Sequence, residues 1–195
     1  SRGLGDVYKR QMYGYVPSQS ALGVKIVSVY PDNIAKNLTS VPATMVTLDS
    51  ETGQVNSLMD GTYLTRLRTG AISGAATDEL SNPDSKIFAL FGTGGQAETQ
   101  LEAVLNVRDI KEVRVFDISK DRAEDFAKRM KEKFEADFEF EIKSVDSADE
   151  AIDNADIITA VTTAKDPVLD GTKVKKGCHI NGCLLYTSPS PRDVE

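Results

Sequence analysis

The eleven residues IFALFGTGGQA, Ile87 to Ala97, constrain the fold of this chain more than any other stretch. An unbroken apolar run over 87–91 suits a strand covered on both faces, which is the habit of parallel sheets. A glycine-rich turn follows at once, and a helical pattern opens after it. Strand, tight turn and helix N-terminus in that order gather backbone N–H donors and a partial positive charge at one spot, which suits a phosphate group. Gly92 allows the tight turn, Gly94 lets the backbone approach a pyrophosphate, and Ala97 allows close packing of helix on sheet. Asp117 stands 20 residues past Ala97, at the end of the next strand, read at 112–116. A carboxylate there accepts from the ribose hydroxyls of an adenine dinucleotide and repels a 2′-phosphate, so the pattern points to NAD rather than NADP. Two other readings stay open: S-adenosylmethionine or FAD on the same architecture, and a strand–helix turn that binds nothing.

The flanking sequence repeats the alternation. Ser119 is placed to cap a helix whose Ala123, Phe126, Ala127, Met130 and Phe134 form one apolar stripe. Strands are expected at 138–142, 157–161 and about 177–181, with a short acidic helix at 148–154. Such alternation means a parallel sheet with right-handed crossovers. Upstream the pattern differs. Segments 23–30 and 42–48 read as strands, and Ser50-Glu51-Thr52-Gly53 as a hairpin turn returning through 55–59. A helix from Gly61 to about Asn82 follows, with Leu64, Leu67, Ala71, Ala75 and Leu80 at helical spacing and Gly70 and Gly74 suited to close packing. The expected fold is α/β: a Rossmann-type parallel-sheet domain plus part of a smaller α+β domain.

Composition narrows the class. With 23 basic and 30 acidic residues the net charge is −7, which disfavours nonspecific binding to nucleic acid or anionic membrane. No apolar run approaches the ~18 residues of a membrane span, and no charged-then-apolar leader opens the chain. Two cysteines make no disulfide framework. A soluble, cytoplasmic protein is the expectation. The ends read differently: 1–11 (SRGLGDVYKRQ) and 183–192 (CLLYTSPSPR) match translations of one sequencing-library adapter in opposite orientations. The expected organisation is therefore 1–11 adapter-derived, 12–83 a partial substrate and dimerisation domain with its connecting helix, 84–182 a partial dinucleotide domain, and 183–195 adapter-derived.

Other chemistry is sparse. Arg68 lies on a helix of small and apolar residues and needs an anion, either a bound carboxylate or phosphate or a surface ion pair. Lys25 reads as an exposed lysine on an edge strand. His179, the only histidine, reads as a structural residue of its strand, and Cys178 as a small core residue. Neither a Ser/His/Asp set nor a clustered metal site is legible, and Lys128, Arg129, Lys131 and Lys133 read as a solvated helix face.

Several of these pieces occur together in one family. Lys25, Pro31-x-Asn33, the Thr52-Gly53 hairpin, Met59-Asp60-Gly61-x-x-Leu64-Thr65-x-x-Arg68-Thr69-x-Ala71, Gly92-x-Gly94-x-Gln96-Ala97, Asp156-Ile157-Ile158 and His179-Ile180-Asn181 resemble the ornithine cyclodeaminase/mu-crystallin family. The resemblance covers nearly all of 12–182 and implies a homodimer with an NAD(P)-binding Rossmann domain, acting on a small amino-acid substrate. It implies ornithine cyclodeamination to proline and ammonia with NAD recycled. Alanine dehydrogenation, imino-acid or ketimine reduction, or a non-catalytic NAD(P)-binding role of the mu-crystallin kind are the alternatives. Carried over by residue, it makes Lys25 and Arg68 a grip on the amino-acid carboxylate. Ser40 and Thr69 lie near the dinucleotide, Gly95, Gln96 and Asp117 belong to its loop and ribose acceptor, and Thr162 to the nicotinamide side. The family's catalytic aspartate would fall beyond 182, so no catalytic residue is assigned and the segment alone is expected to be inactive.

Overall fold

The computed structural model describes residues 8–36, 38–164 and 166–183, and the chain divides into two compact units, 1–67 and 68–195. Residues 1–7 and 184–195, most of the two segments read as adapter, lie outside the described residues.

The first unit is an antiparallel sheet of order β1-β2-β3-β4, formed by β1 (Tyr8–Val16), β2 (Ala21–Val29), β3 (Ala43–Leu48) and β4 (Val55–Asp60). The β3–β4 hairpin turns where the sequence put it. Asp49 Oδ1 accepts from Glu51 N, Thr52 N and the Thr52 hydroxyl at 2.7–3.0 Å, and Gly53 takes a φ of +72° that suits glycine. β1 has no counterpart in the sequence reading, because YKRQMYGYV has no sustained alternation. Its ladder with β2 runs from Tyr8↔Val29 to Val16↔Ala21 and so takes in 8–11. Backbone groups make such a ladder, so it extends over these residues whatever their origin. This strand also corrects the reading of Lys25. β2 lies between β1 and β3, not at an edge, and Lys25 is only 6% exposed, on the same face as buried Gly23 and Val27.

Helix α1 (Thr62–Leu80) starts where Asp60 Oδ1 accepts from Thr62 N at 2.8 Å. The division between the units falls inside α1, at 67/68, whereas the sequence suggested a boundary near Asp84. Its burial bears out Gly70 and Gly74 as close-packing positions but not the apolar positions at helical spacing. Leu64, Leu67, Ala71, Ala75 and Leu80 are exposed, while Thr65, Gly70, Ser73, Gly74 and Thr77 are buried.

The second unit is a parallel sheet of order β7-β6-β5-β8-β9, with β5 (Ile87–Phe91), β6 (Glu112–Phe116), β7 (Glu141–Ser144), β8 (Ile157–Ala160) and β9 (His179–Gly182). Helices α2 (Ala97–Val107), α3 (Lys120–Phe134) and α4 (Ala148–Ile152) make the crossovers after β5, β6 and β7. β5 is central and alternates as a strand buried on both faces must. Phe88 and Leu90 pack with Leu101, Val104, Phe126 and Met130, and Ala89 and Phe91 pack with Ala151, Ile152 and Ile158. Burial of each large side chain there contributes about 1.5–3 kcal/mol. Two local expectations shift. Ser119 precedes α3 but makes no capping bond from its side chain. The strand expected at 138–142 begins at Glu141, because the aromatic run before it is used in packing: Phe140 is buried and Phe138 meets Phe134 edge-on at 6.3 Å.

Candidate functional site

Numbered within the second unit, the strand order is 3-2-1-4-5. The chain leaves the first and fourth strands, β5 and β8, toward opposite sides, which opens a crevice at their carboxyl ends where ligands of doubly wound sheets bind. The residues there are those the glycine pattern singled out. Gly92 has a φ of +93°, donates from its N–H to Phe116 O at 2.8 Å, and a Cβ on it would lie 3.0 Å from Val161 O and 3.1 Å from Thr162 Cγ2. The turn is thus pressed between the ends of β6 and β8, and Thr162 lies beside it. Gly94 is the opposite case: exposed, with nothing within 4 Å of an added Cβ, it leaves room above the loop. Ala97 N–H donates to Gly94 O at 3.0 Å, and Ala97 is fully buried, as close helix–sheet packing requires. Gly95 is exposed on the loop. Gln96 turns a buried Oε1 inward that has no hydrogen-bond partner among the described residues.

Asp117 is tied to this loop. Its Oδ2 accepts from Thr93 N at 3.0 Å, the Thr93 hydroxyl at 2.8 Å and Arg122 at 3.2 Å, and its Oδ1 accepts from Ser119 N at 3.0 Å. Burial pushes its carboxyl up, but the bonds from Ser119 and Thr93 and the Arg122 charge outweigh this and hold it below the ordinary carboxylate range. It is ionised and anchored, and the Arg122 cation beside it tempers its repulsion of a second anion.

Arg68 and Thr69 are half-buried and approach from α1. Gln100 Nε2, in the first turns of α2, donates to Thr69 O at 3.3 Å. Burial raises the Cys183 thiol just after β9, and the Arg68 charge partly offsets this. The second unit brings together Gly92, Gly94, Gly95, Gln96, Ala97, Asp117 and Thr162, with Thr69 bonded to the first turn of α2 and Arg68 next to it on α1. Lys25 and Ser40 belong to the first unit, where Ser40 O accepts from Tyr30 N at 2.7 Å.

Sequence reasoning missed two polar assemblies. Asn181 Nδ2 donates to Thr77 Oγ1 at 2.9 Å and Thr159 Oγ1 at 3.3 Å, while its Oδ1 pairs with His179 Nε2 at 3.1 Å. This buried bridge joins β9, β8 and α1 and gives the lone histidine a structural partner. Asp156 Oδ2 accepts from Lys86 N at 2.8 Å and Ile87 N at 3.0 Å, fixing the start of β5. Burial raises the Asp156 carboxyl, but Lys175 and these two donors more than offset it and hold it low. Burial pushes Cys178 up to about 11, so its thiol is not a ready nucleophile. Among the described residues no group of His, Cys, Asp and Glu could hold a metal, and no helix is long and apolar enough to cross a membrane. A groove lined by Lys111, Lys131, Phe138 and Glu141 lies at the amino ends of β6 and β7, away from this crevice.

Comparison with known proteins agrees with this geometry. The chain is 39% identical over 161 residues to a Delta(1)-pyrroline-2-carboxylate reductase of Bacillus cereus, covering 83% of this chain and 48% of that protein. It superposes on the Thermococcus litoralis Delta(1)-pyrroline-2-carboxylate reductase, solved with NADH and L-proline, with a TM-score of 0.79 and 40% identity, over 91% of this chain and 58% of that one. A lysine cyclodeaminase, solved to explain its recognition of L-lysine, L-ornithine and L-2,4-diaminobutyric acid, matches with a TM-score of 0.78 and 32% identity, over 89% and 52%. The chain spans about half the length of the curated relatives it matches. The model of the ornithine cyclodeaminase/mu-crystallin family matches residues 6–184, and the chain belongs to that family.

Proposed function

We propose that this chain carries the NAD(H)-binding part, and a share of the amino-acid-binding part, of an enzyme that reduces a small cyclic imino acid such as pyrroline-2-carboxylate. The observation that carries the reading is the crevice between β5 and β8, where Gly92 and Thr162 meet, Asp117 is latched to the loop, and an exposed Gly94 leaves space. The relatives at 39% and 40% identity support the choice of substrate class.

The residues fit the cofactor. The loop N–H groups and the first turn of α2 would hold the pyrophosphate, with Gly94 and Gly95 adding no side chain to obstruct it. Asp117 would accept from the adenosine ribose while keeping its bond to Thr93, and Thr162 would border the nicotinamide. When bound, NAD(H) supplies the hydride. The chain's part is positioning and charge. Arg68, whose planar fork matches a carboxylate, would hold the substrate's carboxylate, with Thr69 next to it on α1 near the cofactor; Lys25, in the first unit, is proposed separately as a carboxylate-binding residue. A second reading, cyclodeamination of ornithine to proline, draws on the likeness to lysine cyclodeaminase and needs the same grip and the same cofactor.

Calorimetric titration of the chain with NADH and NADPH tests the cofactor. NADH should bind more tightly, and Asp117→Ser should narrow the gap while weakening both, since it also releases Thr93. Tighter NADPH binding by the unaltered chain would overturn the assignment. For the reaction, a protein of the relatives' full length carrying these residues should consume NADH with pyrroline-2-carboxylate. Proline formation from ornithine without net NADH change would favour the second reading instead.

A further inference from the structure

Gln100 stands one turn beyond the loop, and its environment is odd for a residue kept for stability. It is fully buried. Its Nε2 donates to Thr69 O at 3.3 Å, but its Oε1 has no hydrogen-bond partner among the described residues. A buried acceptor left unmet is a cost that methionine or leucine of similar size would avoid. Nor does Thr69 O need this donor, because a carbonyl inside a helix already accepts from the N–H four residues on. The bond is an extra one, made from α2 to α1.

The contact around it is unusually close. A Cβ on Gly70 would fall 2.4 Å from Thr99 O, and one on Gly74 would fall 3.1 Å from Ala103 Cβ. α1 and α2 thus meet backbone to backbone over one turn, and the amide of Gln100 closes the end of that contact nearest Arg68 and Thr69. Small residues permit the approach but set no unique position along the groove. A directed hydrogen bond to one carbonyl does.

We propose that Gln100 is a positioning residue: it holds Arg68 and Thr69 in register with the first turn of α2, so that the substrate grip and the phosphate-binding turn keep a fixed spacing. The proposal rests on the reading that this turn receives NAD(H). It assigns Gln100 a role in ligand affinity that its contribution to folding does not explain.

Gln100→Met, of matched length and without a donor, separates the two roles in the chain as it stands. Three quantities are measured: thermal unfolding without ligand, amide exchange over 69–74, and NADH affinity. The expected result is an unfolding temperature at or above that of the unaltered chain, faster exchange over 69–74, and NADH binding weaker by about fivefold, the worth of one hydrogen bond. Gln100→Leu serves if the methionine variant does not fold, with the same expectation. Unchanged affinity, or exchange over 69–74 as slow as in the unaltered chain, would overturn the proposal. Failure of the unaltered chain to bind NADH would overturn the cofactor reading and this inference with it, and that control distinguishes the two failures.

Discussion

Arg108, the residue after α2, holds the end of α1, and its replacement by alanine should be among the most damaging single changes in the second unit. The guanidinium is 7% exposed in its side chain. Its Nε donates to Ser81 Oγ at 2.9 Å and Asn82 O at 3.3 Å, one terminal nitrogen to Asp78 Oδ1 at 2.8 Å and Val107 O at 2.6 Å, and the other to Thr77 O, Asp78 O and Ser81 O at 2.6–3.2 Å. Most of these acceptors are carbonyls at or just past the carboxyl end of α1, where the helix dipole favours a cation, although Thr77 O and Asn82 O also accept from Ser81 N and Ser85 N. The Asp78 pair adds little, since that carboxylate is 58% exposed and an ion pair of this kind contributes at most about 1 kcal/mol. Ser81 is buried, and Thr77 O keeps its bond from Ser81 N at 3.0 Å, so truncation strands one buried carbonyl, Ser81 O, at about 1–3 kcal/mol. Loss of the cation from the helix end adds up to about 2 kcal/mol. Allowing for partial entry of water, the expected loss is about 2–4 kcal/mol, a drop in Tm on the order of 10 °C. Arg108→Lys should recover less than half, because a point charge cannot serve three directions at once. Thermal and urea unfolding followed by circular dichroism give both numbers. A loss below about 1 kcal/mol for Arg108→Ala, or full recovery by lysine, would refute the capping argument.

Two other perturbations test the packing and the charges. Gly70→Ala, which in an ordinary helix interior would gain about 1 kcal/mol, should instead cost about 1–2 kcal/mol, because the new methyl meets Thr99 O at 2.4 Å. A raised urea midpoint would contradict the close contact of α1 and α2. Acid should unfold the second unit through its depressed carboxylates. Asp117 and Asp156 are held low, and Arg114 and Lys143 bring Glu112 down to about 2. Groups depressed in the folded state stabilise it above their unfolded pKa of about 4 and lose that contribution as pH falls toward the folded value, so Tm should be level above about pH 5 and fall between about pH 4.5 and 2. Asp156→Asn should make that fall shallower, and a Tm that rises on acidification would exclude the argument.

Much of the second unit was legible because its signals are local. The run Ile87–Phe91 is apolar at every position, since both sheet faces are covered, and the stripe from Ala123 to Phe134 follows one face of a helix. The loop from Gly92 to Ala97 was legible for the same reason: backbone geometry demands glycine at a φ of +93°, and the sequence records it. Residues paired across long separations left no such trace. Thr93 and Asp117, Thr77 and Asn181, and Arg108 and Ser81 are joined by bonds between side chains that no periodicity announces. α1 carries the sharpest lesson. Leu64, Leu67 and Leu80 recur at helical spacing but are exposed, while the structure buries Ser73 and Thr77 beside the Gly70 and Gly74 that the sequence marked for close packing. Two helix backbones in contact have room only for small side chains, so steric fit chose the face that hydrophobicity did not. Lys25 was misjudged for a related reason: whether a strand is central or at an edge depends on its neighbours, and β1 supplied the neighbour that the sequence did not reveal. In the second unit, sequence alone determined the order of strands and helices and the glycine turn, because these follow from each residue's own preferences. Which polar groups meet, and which face is covered, was decided by the tertiary structure, because both depend on what lies opposite.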